Sequence, residues 1–447
     1  MIDPELASQA VRLALDRGAS DAECTLSEGD EFSAMVRMRS LETLKDAGSR
    51  GAGLRVLIGQ HAGSAYTSDL SSEGIRTMVE SALEIAAIST EDPNAGLPDP
   101  SELGSLPGDF ELYSDDINRI DTAHRIDQAM QAEEAALSAD PRITNSEGAS
   151  FNAYNGERIF ANSRGFQGSY RMSSCSLSAT PVARQGDSME RDYWYSAARS
   201  YAKLEDPAAI GRKAAERTLR RLGSRKVPTQ KVPVVFDAQT ARSLISNVFE
   251  AVEGESIYRK ASFLAGKLEN RIASENVTII DDSTIPGLFG TSPFDDEGVP
   301  TRRTVVIERG VFKSYLLNTY TARKLGLRTT GNAARGLTGN ASVGHGNLFL
   351  EKGEQSPEEI IRGIRKGLYV TELIGSGVNI VTGDYSRGAA GLWIENGEFA
   401  YPVSEITIAS TLSQMLMDIA AAGSDLEFRG SVASPTLVIG EMTVSGQ

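Results

Sequence analysis

The chain has 447 residues, more than one ordinary core accommodates, and the usual allowance of about 100–200 residues per domain gives two or three domains. Its 40% hydrophobic content is enough to bury cores, but no apolar run reaches the ~18 residues that a membrane span needs. With 60 acidic against 45 basic residues the net charge is -15, which repels a phosphate backbone and argues against direct nucleic-acid contact.

In chain order, residues 4–16 carry apolar side chains at helical spacing, and the opening MIDPELASQAVRLALDRG lacks the basic-then-apolar order of a signal peptide. A cytoplasmic protein is expected. Residues 22–27 and 33–37 read as strands, 51–58 and 63–67 as a hairpin, and Ser72–Ile88 as a helix behind it. A Pro-, Gly-, Asp- and Ser-rich loop covers 89–110, and a helix covers 117–137. Strands return over 143–200, where Asn155-Gly156 signals a hairpin turn. A helix over 207–222 ends at Gly223, and the following GSRKVPTQKVP marks a domain boundary. The fold class is therefore α+β: an N-terminal α/β domain, 1–223, with helices packed on a sheet, and a mainly-β C-terminal domain, 224–447.

The second domain opens with a strand over 232–236 and a helix over 240–252, whose apolar stripe is Leu244, Ile245, Val248, Phe249 and Val252. Two segments, Ile307 to Phe312 and Ile394 to Phe399, share an Ile-Glu start, a glycine at the second turn position and a final Phe. Each suits a type I′ hairpin, by duplication or by convergence on good turn chemistry.

Catalytic signatures are missing. The three histidines, His61, His124 and His345, stand in no HExxH, and no GxSxG or GxxxxGK[ST] occurs. Cys24 and Cys175 form no CxxC and read as buried thiols. The basic run Arg217, Arg220, Arg221, Arg225 and Lys226 reads as a solvated helix end. The pairs Asp281-Asp282 and Asp295-Asp296 read as turn or surface charge rather than a matched acid and base, because neighbours in a strand point to opposite faces. A loop with Gly331, Gly336, Gly339, Gly344 and Gly346 is either a surface connector or a place where backbone approaches a ligand or partner closely.

The string from Glu253 through Gly254-Glu255-Ser256-Ile257-Tyr258-Arg259-Lys260-Ala261-Ser262-Phe263 to Leu264, followed by GTSPFDDEGVPTRRTVVIERGVFKSYLLNTYTARKLG and GNAARG, resembles the TldD/PmbA family, and within it the PmbA (TldE) branch. The likeness spans essentially the whole chain, including Asn162-Ser163-Arg164-Gly165. It implies a heterodimer of TldD-like and TldE-like chains that acts as a zinc protease on unfolded peptides. In the TldD branch an HExxxH helix and a distant cysteine hold the metal. Laid just before Glu253, that helix falls on Ile245 to Glu250, here ISNVFE, and the C-terminal stretch has no cysteine. The resemblance thus implies no catalytic or metal-binding residue in this chain, no cofactor of its own, and zinc in a TldD-like partner.

Three readings follow: a non-catalytic protease subunit, forming a heterodimer or, in isolation, a homodimer; a metallopeptidase acting alone with unrecognised ligands; and a regulatory binding protein of the DNA gyrase modulator type. Arg302, Arg303, Asn318, Tyr320, Asn332 and His345 are the candidate contacts with partner or peptide, since they flank the central hairpin and the glycine loop.

Overall fold

The computed structural model describes residues 3–446. The first half begins with α1 (Glu5–Asp16), then β1 (Asp21–Arg37), β2 (Ser40–Ile58), β3 (His61–Thr67) and α2 (Ser72–Ile88). After a long loop come α3 (Thr122–Leu137), β4 (Ile143–Asn162), β5 (Gln167–Gln185), β6 (Ser188–Arg191), β7 (Trp194–Ala198) and α4 (Pro207–Leu219). The strands form one sheet in the order β3-β2-β1-β4-β5-β6, with β7 also on β5.

All four helices cover one face of this sheet. Cys24, Leu26, Leu54, Val56 and Ile159 meet α1 and α2, while Phe32, Ala34, Val36, Phe151 and Leu177 meet α3 and α4. The period-two alternation of strands explains why the even-numbered residues of β1 supply both clusters. Both cysteines are buried as expected, and burial pushes each thiol up to about 12.

Two expectations fail here. Residues 22–37 are one continuous strand, and Asn155-Gly156 is no turn but the middle of β4, paired with Gly29 and Asp30 of β1. Gly156 and Gly29 are small because the Tyr154 ring lies across them; an added Cβ would meet its hydroxyl at 2.3 and 2.7 Å. The chain actually reverses at Asn162–Phe166, where Asn162 Oδ1 accepts from the Arg164 and Phe166 amides at 3.0 and 3.1 Å and Gly165 takes φ +88°.

The second half contains β8 (Gln230–Phe236), α5 (Ala238–Val252), α6 (Gly254–Tyr258), β9 (Ile279–Asp282), β10 (Arg303–Glu308), β11 (Val311–Phe312) and α7 (Thr319–Leu325). It continues through β12 (Ala333–Ala334), β13 (Ser342–Val343), β14 (Asn347–Leu350), α8 (Pro357–Arg362), β15 (Lys366–Ile374), β16 (Asp384–Glu395) and β17 (Glu398–Thr411). It closes with α9 (Leu412–Met417), β18 (Ile419–Ala422), β19 (Val432–Ala433) and β20 (Leu437–Ser445). One sheet runs β11-β10-β9-β14-β19; another runs β17-β16-β15-β8-β20-β18, and β17 also pairs with β20, so five strands close into a ring. The apolar stripe of α5 fills the space between the ring and the β9 sheet. Both repeated hairpins turn as expected, with positive φ at Arg309-Gly310 and Asn396-Gly397.

The basic run after α4 is not a solvated helix end. Arg217 is buried between Asp192 and Asp237 (3.3 and 3.5 Å), Arg221 lies between Glu190 and Glu372, and the Arg225 guanidinium sits 3.4 Å over the Tyr401 ring. Paired in this way, these cations tie the halves together rather than forming a free basic patch.

Candidate functional site

The halves meet along the stretch from Asp281 to Gly346, and its glycine loop is what seats them. The loop lies on the sheet face opposite the helices, so close that a Cβ on Gly53 would come within 1.9 Å of Leu337 O. Gly331 and Gly339 adopt φ of +74° and +82°, conformations suited to glycine. The close approach anticipated from the five glycines is therefore made to this chain's own β2.

Beneath the loop lies a buried ionic cluster. Arg55 donates to Glu23 Oε1 at 2.9 Å, Arg335 pairs with the same oxygen, and Arg335 also reaches Thr25 Oγ1 at 3.3 Å. Beside it, Arg158 bridges to Asp296 at 2.9 Å and donates to Arg335 O at 2.9 Å. Asp295 accepts three backbone N–H bonds, from Glu297, Val299 and Ala333, at 2.9–3.0 Å. Burial, with Glu297 beside it, nevertheless raises its pKa well above the ordinary carboxylate range. Burial likewise raises Glu297, whose Oε2 accepts from the Thr319 amide at 2.9 Å.

Asp281 and Asp282, read from sequence as turn or surface charge, are buried in the middle strand of their sheet. Their side chains do alternate, but both faces of this sheet are covered. Asp281 Oδ2 accepts from Asn332 Nδ2 and Oδ1 from the Gly346 amide, both at 2.7 Å. Burial raises the Asp281 pKa to about 6, opposed by those bonds and by the nearby His345. Asp282 Oδ1 accepts from the Thr284 amide and hydroxyl at 2.9 and 2.6 Å.

The six candidate contacts do not form one constellation. Asn332 and His345 share a cavity of about 220 Å³ with Asp295, Asp296, Arg199 and Phe289. His345 Nδ1 donates to Gly346 O at 2.9 Å, and its ring stands edge-on to Phe249 of α5 with centroids 4.8 Å apart. Tyr320 opens onto a separate crevice of about 460 Å³, where its hydroxyl donates to Asp92 at 2.8 Å. Asn318 is 1% exposed and caps α7: its Oδ1 accepts from the Thr321 amide at 2.8 Å and its Nδ2 donates to Ala341 O at 2.8 Å. Arg302 and Arg303 are exposed, away from both cavities. Arg303 lies 3.9 Å from Asp282 and from Glu351, and Arg302 forms no ion pair among the described residues. Neither arginine pairs with Asp295 or Asp296.

Sequence reasoning missed Glu23, Arg55, Arg158 and Arg199. Arg199 is buried with no carboxylate partner among the described residues, its Nη2 donating to Leu288 O and Phe289 O at 3.2 and 2.9 Å across the junction. Glu23, Arg55 and Arg158 lie on strands and Arg199 on the bend after β7, all far in sequence from the groups they meet, so no local spacing announces them.

Helix α5 carries the residues that stand at the HExxxH positions of the resemblance. Ile245 is wholly buried in the core, Ser246 Oγ donates to Arg242 O at 3.3 Å, and Glu250 is exposed. Among the described residues no three His, Cys, Asp or Glu side chains gather as metal ligands would. At these positions of α5 the residues present do not fit a zinc ion.

Known proteins place this architecture. Residues 22–86, 115–222 and 229–446 match, in turn, domain 1, the central domain and the C-terminal domain of the PmbA/TldA metallopeptidases, which defines the class. The chain is 39% identical over 444 residues to Metalloprotease PmbA of Escherichia coli O157:H7, covering 99% of this chain and 96% of that protein. It is 38% identical over 439 residues to a Metalloprotease PmbA homolog of Haemophilus influenzae, covering 98% and 95%. The chain belongs to the PmbA/TldD family. A crystal structure from Bacteroides thetaiotaomicron, described as a candidate modulator of DNA gyrase, superposes with a TM-score of 0.92 at 30% identity, covering 99% of this chain and 98% of that one.

Proposed function

We propose that the chain is a non-catalytic subunit of a cytoplasmic zinc metallopeptidase, pairing with a TldD-like chain that holds the metal and helping to enclose unfolded peptides. The observation that carries this reading is the sequence of α5, where Ile245, Ser246 and Glu250 stand in place of HExxxH within an otherwise matching fold. A groove of about 640 Å³ over the open face of the first sheet supports the peptide role. Its floor carries a polar row in which Ser33 Oγ donates to Asn152 Oδ1 at 2.8 Å and Asn152 Nδ2 to Ser176 Oγ at 3.5 Å. Such groups suit main-chain amides of any sequence. Any effect on a DNA-handling enzyme would run through proteolysis, because a net charge of -15 repels phosphate.

Metal analysis and peptidase assays on the purified chain, alone and with a TldD-like chain, test the proposal. The expected result is no stoichiometric zinc and no cleavage alone, with chelator-sensitive cleavage when the second chain is added. Stoichiometric zinc with chelator-sensitive cleavage by this chain alone would overturn it.

A further inference from the structure

Another pocket, of about 300 Å³, lies across the junction of the halves, between α4, the start of α5 and strands β15 and β16. Five arginines line it against two carboxylates, in a chain whose net charge is -15. Three of the arginines are neutralised: Arg191 by Glu147, Arg217 by Asp192 and Asp237, and Arg221 by Glu190 and Glu372. Those pairs take up both lining carboxylates, Asp192 and Glu372. Arg242 and Arg387 remain, with no ion pair among the described residues.

Arg242 Nη1 donates to the Tyr195 hydroxyl at 2.9 Å, and that hydroxyl donates to Gln239 Oε1 at 3.4 Å. Arg387 has the hydroxyl of the buried Tyr385 beside it. Neither contact offsets a positive charge, and each guanidinium carries five N–H donors. Next to Arg217, Arg220 adds a third cation with no ion pair among the described residues, its Nε and Nη2 lacking any hydrogen-bond partner. The pocket also continues the groove over the first sheet. Ala197 of β7 lines that groove and Tyr195 shares its face of the strand, while Tyr193, stacked on Tyr195 with centroids 6.1 Å apart, lines the pocket. From Ala197 to Tyr193 is about 13 Å, the length of about four residues of extended peptide.

We infer that Arg242 and Arg387 bind the C-terminal carboxylate of an extended peptide whose preceding residues lie in the groove. The inference rests on the peptide reading above. Guanidinium forks match the two oxygens of a carboxylate, and a terminal carboxylate is the one anion that every unmodified peptide carries whatever its sequence. It therefore suits a groove whose polar floor, Ser33, Asn152 and Ser176, reads main chain rather than side chains.

The experiment measures binding of a fluorescent peptide of Ala, Ser and Val, as free acid and as C-terminal amide, to the full chain by anisotropy. Wild type should bind the acid at least tenfold more tightly than the amide, and Arg242→Gln/Arg387→Gln should bind the two alike. Because Arg387 sits against the core, Arg242→Gln alone is the second variant, expected to lose most of the preference, and thermal melts show which variants are folded. Equal wild-type affinity for acid and amide would overturn the carboxylate site while leaving the peptide groove intact. No binding of either form would overturn both. A tenfold preference that survives in folded variants would overturn the assignment to these arginines. Inorganic phosphate that binds wild type but not the variants, without any preference for the peptide acid, would give the pocket to a free anion and overturn the peptide assignment.

Discussion

At Asp281 burial and hydrogen bonding pull in opposite directions. Its folded pKa of about 6 lies above the ordinary 3.8, so the folded chain holds this proton more tightly than the unfolded chain does. The stabilisation is complete below about pH 4 and is lost as pH rises through 6, a change of about 3 kcal/mol. Asp281→Asn, which cannot titrate, should lack that part of the slope. In paired thermal melts from pH 4 to 7 the difference between the two proteins should shift in favour of the variant as pH rises, and a pH-independent difference would refute this. Arg335 offers a second test. Arg335→Leu leaves Glu23, already with one oxygen unpartnered, to Arg55 alone. Removing one member of such a buried cluster typically costs about 3–5 kcal/mol, measurable by chemical denaturation.

At the scale of elements, the glycine loop and β2 act as a pair. Gly53→Ala places a methyl group against Leu337 backbone, which cannot swing aside as a side chain can. The loop should lift, at a cost of about 1–3 kcal/mol, and limited proteolysis should begin within 331–346. Unchanged cleavage kinetics would show the contact to be unimportant. The elements also show what can be read from sequence. Helix α2 lies at Ser72–Ile88, as its periodicity indicates, because an amphipathic helix records its environment locally. The Asn155-Gly156 turn fails because a glycine that makes room for Tyr154 looks the same in sequence as one that makes a turn. The Asp281-Asp282 pair fails because alternation says which residues share a face, not whether that face is covered. Of the candidate contacts, Asn332 and His345 converge through the loop named in advance, whereas their neighbours Asp295 and Arg199 meet only through tertiary folding.

For the whole molecule, the resemblance carried by the central motif was legible before the fold and is matched by all three family domains. The ionic junction between the halves was not, because its members are up to 312 residues apart. If this chain holds no structural metal, a chelator should leave its melting temperature unchanged, whereas a chelator-induced fall would reveal a site. The five-strand ring has a further consequence for synthesis. Strand β20 lies between β8 and both β17 and β18, so the core of the second half cannot close until this last described strand has been made. The first half owes it no contact in its own sheet and can settle while translation continues. The newborn chain therefore spends its most exposed interval with α5 and all of the β9 sheet except its edge strand β19 made but unroofed, and that interval is when a chaperone would matter most.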